Sequence, residues 1–314
     1  MNRKRVIRLN NNTNITYDEL YSKYINRCVV NNISPYTIKS YNYCYNAFNV
    51  FTDLKALKCK DITEDLIDNY KLHLINKKTV CDTSIHSYIK GVRVIVKYGQ
   101  SLNYIPTFII TNIKVTEKIK VIYTVQELSR LLVRPIKKAF GLYRNWVIIN
   151  TLLATGIRAL ELTSLKIQDI QLDNDLLLVS RAKNKRQRYV PISSVLHNVL
   201  SEYISVRGGD NNSYLFPNSY DEILPYSTLK CNIVNYHKSR DVTKISIHLY
   251  RHTFATMYLI NGGDIHTLAK ILGHSSLKQV QTYLSLTNDD IKSNFNNINP
   301  LDKLTIKQRI KIKK

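Results

Sequence analysis

The sequence predicts a mainly α-helical protein of two domains: a small all-helical domain, then a larger domain that is mixed α/β, mostly helical with a small antiparallel sheet. Three observations carry this expectation. The first hundred residues break into four amphipathic segments joined by short polar connections. Residues 105–121 then show no sustained helical period, contain Pro106 and several β-branched residues, and read as an extended linker. The remainder returns to helical periodicity except at 176–180 and 187–192, which read as paired strands. A chain of 314 residues with 44% hydrophobic content can bury two cores.

Taken in order, residues 1–14 form a basic N-terminal segment with Arg3, Lys4, Arg5 and Arg8. The helical domain spans 15–104. Its first helix opens at a capping box, Thr16 with Glu19, and carries Leu20, Tyr24 and Val29 on one face. Ser34 followed by Pro35 opens the second, which runs to about Phe51. Two more run from Thr63 to about Lys77 and from Thr83 to about Gly99. Lys39 lies among Tyr36, Tyr41, Tyr43 and Tyr45, a mixture that suits either a DNA backbone or a helix with one core face and one solvated face.

The linker occupies 105–122 and the larger domain 123–298, with a second capping box, Thr124 with Glu127, near its start. Helices are expected near 125–133, 142–155, 159–166, 194–206, 226–239, 247–261, 264–272, 276–284 and 288–297, and the turn between the strands holds Lys183. Residues 299–314 form a basic tail, either solvated or docked on a partner.

Lys and Arg outnumber Asp and Glu 46 to 23, a formal charge of +23 that favours a polyanionic partner, nucleic acid first. The 22 tyrosines carry little weight, because Asn, Lys, Ile and Tyr are all encoded by AT-rich codons. Five scattered cysteines without a C-x-x-C pair suggest neither a disulfide framework nor a thiolate zinc site. With no signal sequence and no long apolar run, the chain is expected to be cytoplasmic, with no membrane partner.

Four separated stretches of the larger domain supply an unusual set of side chains. Arg158 follows Gly156 at a junction between two helices, where backbone N–H groups also point outward. Lys183 sits in the strand turn. His248 and Arg251, at i and i+3, project from one helix face toward a shared target. His274 and Tyr283 follow Gly273. His248 with His252 has the spacing of a zinc-protease helix, but Leu249 replaces the general base and Arg251 puts a fixed cation between the two rings, so no metal site is expected.

The pattern as a whole resembles the tyrosine recombinase (phage integrase) family, of the simple, Xer-like two-domain type. Thr155-Gly156-Ile157-Arg158 through Leu165 resembles its first arginine motif. His248-Leu249-Tyr250-Arg251-His252-Thr253 resembles its H-x-x-R motif, and Leu272-Gly273-His274-Ser275-Ser276 to Tyr283 its nucleophile motif. The likeness covers roughly 124–295, with 16–100 resembling the family's helical, SAM-like core-binding domain more loosely. Tyr250 stands where Leu is usual and reads as an apolar exchange. The turn Arg181-Ala182-Lys183-Asn184-Lys185 departs from the usual Gly-Lys-Gly, and counting back from Arg188-Tyr189-Val190-Pro191 places the family's lysine on Lys183, with Lys185 as the alternative.

The resemblance implies a site-specific DNA recombinase that works without metal, nucleotide or other cofactor. Tyr283 would be the nucleophile, Arg158 and Arg251 the phosphate clamp, Lys183 the acid for the leaving oxygen, His248 the proton acceptor, His274 a donor to the phosphate and Glu161 a supporting carboxylate. It further implies a C-shaped clamp on a double-stranded recombination site and a homo-oligomer on DNA, a tetramer in the synapse. Residues 1–14 are too few for an arm-binding domain, so a simple recombinase is expected. Two other readings share these residues: a type IB topoisomerase, and a catalytically inactive DNA-binding protein.

Overall fold

Thr16 and Glu19 exchange the two hydrogen bonds of a capping box, at 3.2 and 2.8 Å, and so start α1 (Tyr17–Val30). Ser34 and Pro35 start α2 (Pro35–Asn49), and Thr63 caps α3 (Glu64–Asn76). α4 (Asp82–Ser101) opens behind Cys81. The computed structural model describes residues 14–113, 121–135, 140–180, 187–274 and 280, and the chain divides into two compact units, 1–118 and 119–314.

In the first unit α4 is the spine. Ile85, Ile89, Val92 and Val96, four and three residues apart, are buried along one face of it against Leu20, Phe48, Ile67 and Tyr70. The tyrosines of α2 divide, with Tyr36 and Tyr43 exposed and Tyr41 and Tyr45 half-buried. Beyond α4 the chain is extended, and Ile105 and Ile110 are buried in this same core. The Gln100 amide donates to the carbonyls of Pro106 and Phe108, each at 3.0 Å, and holds that stretch in place.

The second unit opens with the Thr124–Glu127 capping box on α5 (Val125–Leu131). α6 (Phe140–Thr155) is apolar around most of its circumference, which suits its position against α8 (Ser194–Arg207), α9 (Tyr226–Lys238) and α10 (Ile247–Ile260). α7 (Ala159–Thr163) is shorter than its periodicity suggests, because the Asp169 carboxylate takes the Lys166 N–H at 2.8 Å and turns the chain into a tight 3₁₀ turn. Three antiparallel strands follow: β1 (Ile170–Gln171), β2 (Leu176–Val179) and β3 (Arg188–Pro191). β1 was not expected, since two residues are too few to show alternation. Leu177 faces Val190 and Val179 faces Arg188 across the β2–β3 pair. α11 (Ile265–Leu272) ends the described helices.

The five cysteines are free thiols. Among the described residues no helix is long and apolar enough to cross a membrane. Residues 1–13 of the N-terminal segment, the strand turn, the expected helix at 288–297 and the basic tail lie outside the described residues, and of the expected 276–284 helix only Val280 is described.

Candidate active site

α6 stops because Gly156 takes a left-handed backbone, φ +62°, which redirects the chain at Arg158. A Cβ at Gly156 would collide with the Phe254 ring and lie 2.8 Å from Leu272, so the junction is closed against α10 and α11. Arg158 is the N-cap of α7, and the carboxylate of Glu161, in the first turn, folds back onto it. Glu161 accepts the Arg158 backbone N–H at 2.9 Å and the Arg158 Nη1 at 2.8 Å. The expected supporting carboxylate is thus in direct contact with the arginine it was expected to orient.

A second guanidinium, one that sequence reasoning used only as a counting anchor, completes this arrangement. Arg188 donates Nη2 and Nη1 to the same Glu161 carboxylate at 2.8 and 3.2 Å, and its Nε to the Ile271 carbonyl at 2.7 Å. The signal was present in the sequence. Arg188, Val190 and Ile192 share one face of a strand by the two-residue period, so an arginine there points inward and needs a carboxylate. Glu161 is 2% exposed. Burial alone would push its carboxyl up, but hydrogen bonds and charge from Arg188, and then from Arg158, outweigh that and hold it below the ordinary carboxylate range.

Arg251 is buried on the inner face of α10 and spans two loops. Its Nη1 donates to the Gly156 carbonyl and its Nη2 to the Leu272 carbonyl, both at 2.8 Å, and Nη2 also meets His274 Nε2 at 2.7 Å. An arginine can only donate, so His274 Nε2 accepts and the proton of the neutral ring sits on Nδ1. α11 ends at Gly273, φ +65°, whose Cα faces the Arg188 guanidinium and which presents His274 to the cluster. Burial, and then the charges of Arg251, Arg158 and Arg188, push the His274 pKa down to about 4.

Arg158, Glu161 and Arg188 form one hydrogen-bonded group and Arg251 with His274 a second, and the two meet at the end of α11, where the successive carbonyls of Ile271 and Leu272 accept from Arg188 and Arg251: a cluster of three guanidiniums and one carboxylate beside a neutral imidazole. Such a cluster can bind a phosphodiester and stabilise added negative charge on it. His248 lies in the first turn of α10, exposed, with its ring edge-to-face on His252 at 4.7 Å. Among the described residues no group of three or more His, Cys, Asp or Glu side chains could hold a metal. Lys183, its alternative Lys185, and Tyr283 lie outside the described residues. Val280, three residues before Tyr283, is fully buried with Ala255, Leu268 and Leu272.

Tyr250 is not the plain apolar exchange the sequence suggested. Its hydroxyl meets His237 Nε2 at 2.6 Å, while His237 Nδ1 meets the Lys244 carbonyl at 2.6 Å. A carbonyl only accepts, so Nδ1 carries the proton and Nε2 accepts from Tyr250. Lys244 in turn donates to Glu127 at 2.8 Å and to the Ile122 carbonyl at 2.9 Å, fastening the start of α10 to the start of the unit.

Residues 123–289 match the model of the phage integrase family, and residues 16–115 that of the phage integrase SAM-like domain. Among curated relatives, the tyrosine recombinase XerA of Saccharolobus solfataricus is 28% identical over 294 residues, covering 88% of this chain and 91% of the relative. The tyrosine recombinase XerC of Pelobacter propionicus is 28% identical over 277 residues, covering 86% and 91%. In fold the chain is similar to the Tn1549 transposon integrase in complex with circular intermediate DNA, with a TM-score of 0.73, 18% identity and coverage of 90% of this chain and 100% of that one. The family matches span both the helical unit and the arginine cluster, and the chain belongs to the phage integrase family of tyrosine recombinases.

Proposed function

We propose that this site-specific recombinase cuts and rejoins double-stranded DNA through Tyr283, with Arg158, Arg251 and His274 holding the scissile phosphate. The observation that carries this reading is the gathering of Arg158, Arg188, Arg251 and His274 where α6 and α11 end, with Arg158 and Arg188 on Glu161 and Arg251 against His274. The Tyr283 hydroxyl attacks phosphorus, its proton passing to His248, and the bond to the 5'-oxygen breaks as Lys183 supplies that oxygen with a proton. Resealing runs the same steps backward from a partner strand's 5'-hydroxyl, and the covalent 3'-phosphotyrosine conserves the bond energy, so ATP is not needed.

The DNA partner is supported by solved relatives, among them the recombinase XerH bound to difH substrate, with a TM-score of 0.65, 20% identity and coverage of 89% of this chain and 84% of that one. The active assembly is a homo-oligomer on DNA, four protomers joining two sites, and its biological outcome is integration, excision or resolution of a DNA element. The experiment begins with duplexes that the protein selects from a randomised pool. Nicked versions that lose the short 5'-hydroxyl fragment trap the wild type as a covalent adduct, while Tyr283→Phe binds the same duplexes and forms none. An adduct with the Phe variant refutes the nucleophile assignment. Relaxation of supercoiled DNA irrespective of the selected sequence favours a topoisomerase instead.

A further inference from the structure

Glu161 is the only carboxylate hydrogen-bonded to Arg158 among the described residues, and a lone Arg158–Glu161 pair would be neutral. A neutral pair is a poor clamp for a transferring phosphate, whose transition state carries added charge on its non-bridging oxygens. Arg188 changes this balance. It presents both Nη groups to Glu161, one to each oxygen, and is itself only 10% exposed. Arg158 contributes a single Nη to the same carboxylate and remains 26% exposed. Fork-to-carboxylate geometry of this kind is the stronger of the two engagements.

We propose that Arg188 is a positioning residue that neutralises Glu161, leaving the charge of Arg158 available to the scissile phosphate; this rests on the recombinase reading above. The arrangement divides the work between two cations. Arg188, inward on β3 and tied to the Ile271 carbonyl at 2.7 Å, satisfies the buried carboxylate. Glu161 then acts on Arg158 as an oriented acceptor and no longer as its full counter-charge. With Arg188 present the three groups sum to one positive charge; without it they sum to zero.

The inference makes a demand that a purely structural role does not. Arg188→Gln slows formation of the trapped adduct on the order of 10- to 100-fold, the size seen when a group supporting a site is removed. Arg188→Lys, which restores the charge without the fork, recovers a large part of that loss. The added substitution Glu161→Gln makes the Arg188→Gln protein faster again, because removing the carboxylate returns the sum to one positive charge. The Arg188→Gln defect also shrinks on DNA carrying a neutral methylphosphonate at the scissile position, where less cationic stabilisation is required.

Binding of the unnicked duplex and the thermal unfolding midpoint are followed for every variant, and Arg188→Lys carries the comparison if Arg188→Gln is poorly folded. Equal defects on phosphodiester and methylphosphonate, or a double variant slower than Arg188→Gln alone, would overturn the proposal. So would rescue of Arg188→Gln by sulfur at the 5'-bridging position, since that would place its influence on the leaving oxygen. A wild type that forms no adduct on any nicked duplex would overturn the recombinase reading itself, whereas a normal wild type with no charge rescue refutes only the role of Arg188.

Discussion

The Arg251 guanidinium lies 2.7 Å from Nε2 of His274 and can only donate to it, which fixes the tautomer of the histidine. The ring is neutral, with its pKa down at about 4 from an ordinary value of about 6.5. In the unfolded chain it takes up a proton below about 6.5, and in the folded chain only near 4. Its contribution to stability is therefore complete above about 6.5 and declines as pH falls toward 4. His237, whose pKa burial also lowers, adds to the same trend. Unfolding midpoints of wild type between pH 4 and 7 should fall with acidification, and those of His274→Gln should fall less steeply. Identical slopes would show that the ring is not held neutral.

Gly156→Ala should destabilise the second unit by about 1–3 kcal/mol, since overpacking of a filled site adds to the cost of a left-handed backbone. Urea unfolding measures it. A loss below about 0.5 kcal/mol, the size of an ordinary surface change, would mean that Phe254 and Leu272 yield easily to the methyl group.

Tyr250→Phe should cost about 1–3 kcal/mol, because it leaves the buried His237 Nε2 without its donor. A double-mutant cycle with His237→Leu separates this bond from packing. The two losses should couple, with the pair costing less than the sum of the singles. Full additivity would show that the hydroxyl and the ring do not act together.

Lys183→Ala should cut ordinary DNA very slowly and recover most of its rate when the 5'-bridging oxygen is replaced by sulfur, since a thiolate departs without a proton. Arg251→Ala should show no such recovery under the proposed mechanism, in which its charge serves the non-bridging oxygens. Lys185→Ala is the control. Sulfur rescue of Lys185→Ala alone would move the general acid to Lys185.

Much of this molecule was legible before its fold. Caps at Thr16, Ser34, Thr63 and Thr124 announced their helices because the signals are local, a side chain bonding to N–H groups a few residues away. The glycine stop before Arg158 was readable for the same reason. The inward direction of Arg188 was readable from the strand period, but its partner was not, because Glu161 is 27 residues away and only the folded β3 brings the two together. Tyr250 was misread as apolar because His237, on another helix, supplies its polar partner. Local periodicity reports which face is buried and is silent about which buried polar group will meet which.

The two backbone carbonyls that hold the Arg251 guanidinium lie 95 residues before it and 21 residues after it. A ribosome making this protein releases the helices of the first unit long before Leu272 and His274 exist. Those helices can fold while the chain is still growing, as N-terminal domains generally do. The clamp cannot, since one of its supports has not been translated. A nascent or prematurely ended chain that stops short of α11 would thus carry the SAM-like unit without the Leu272 carbonyl and the His274 ring that meet Arg251.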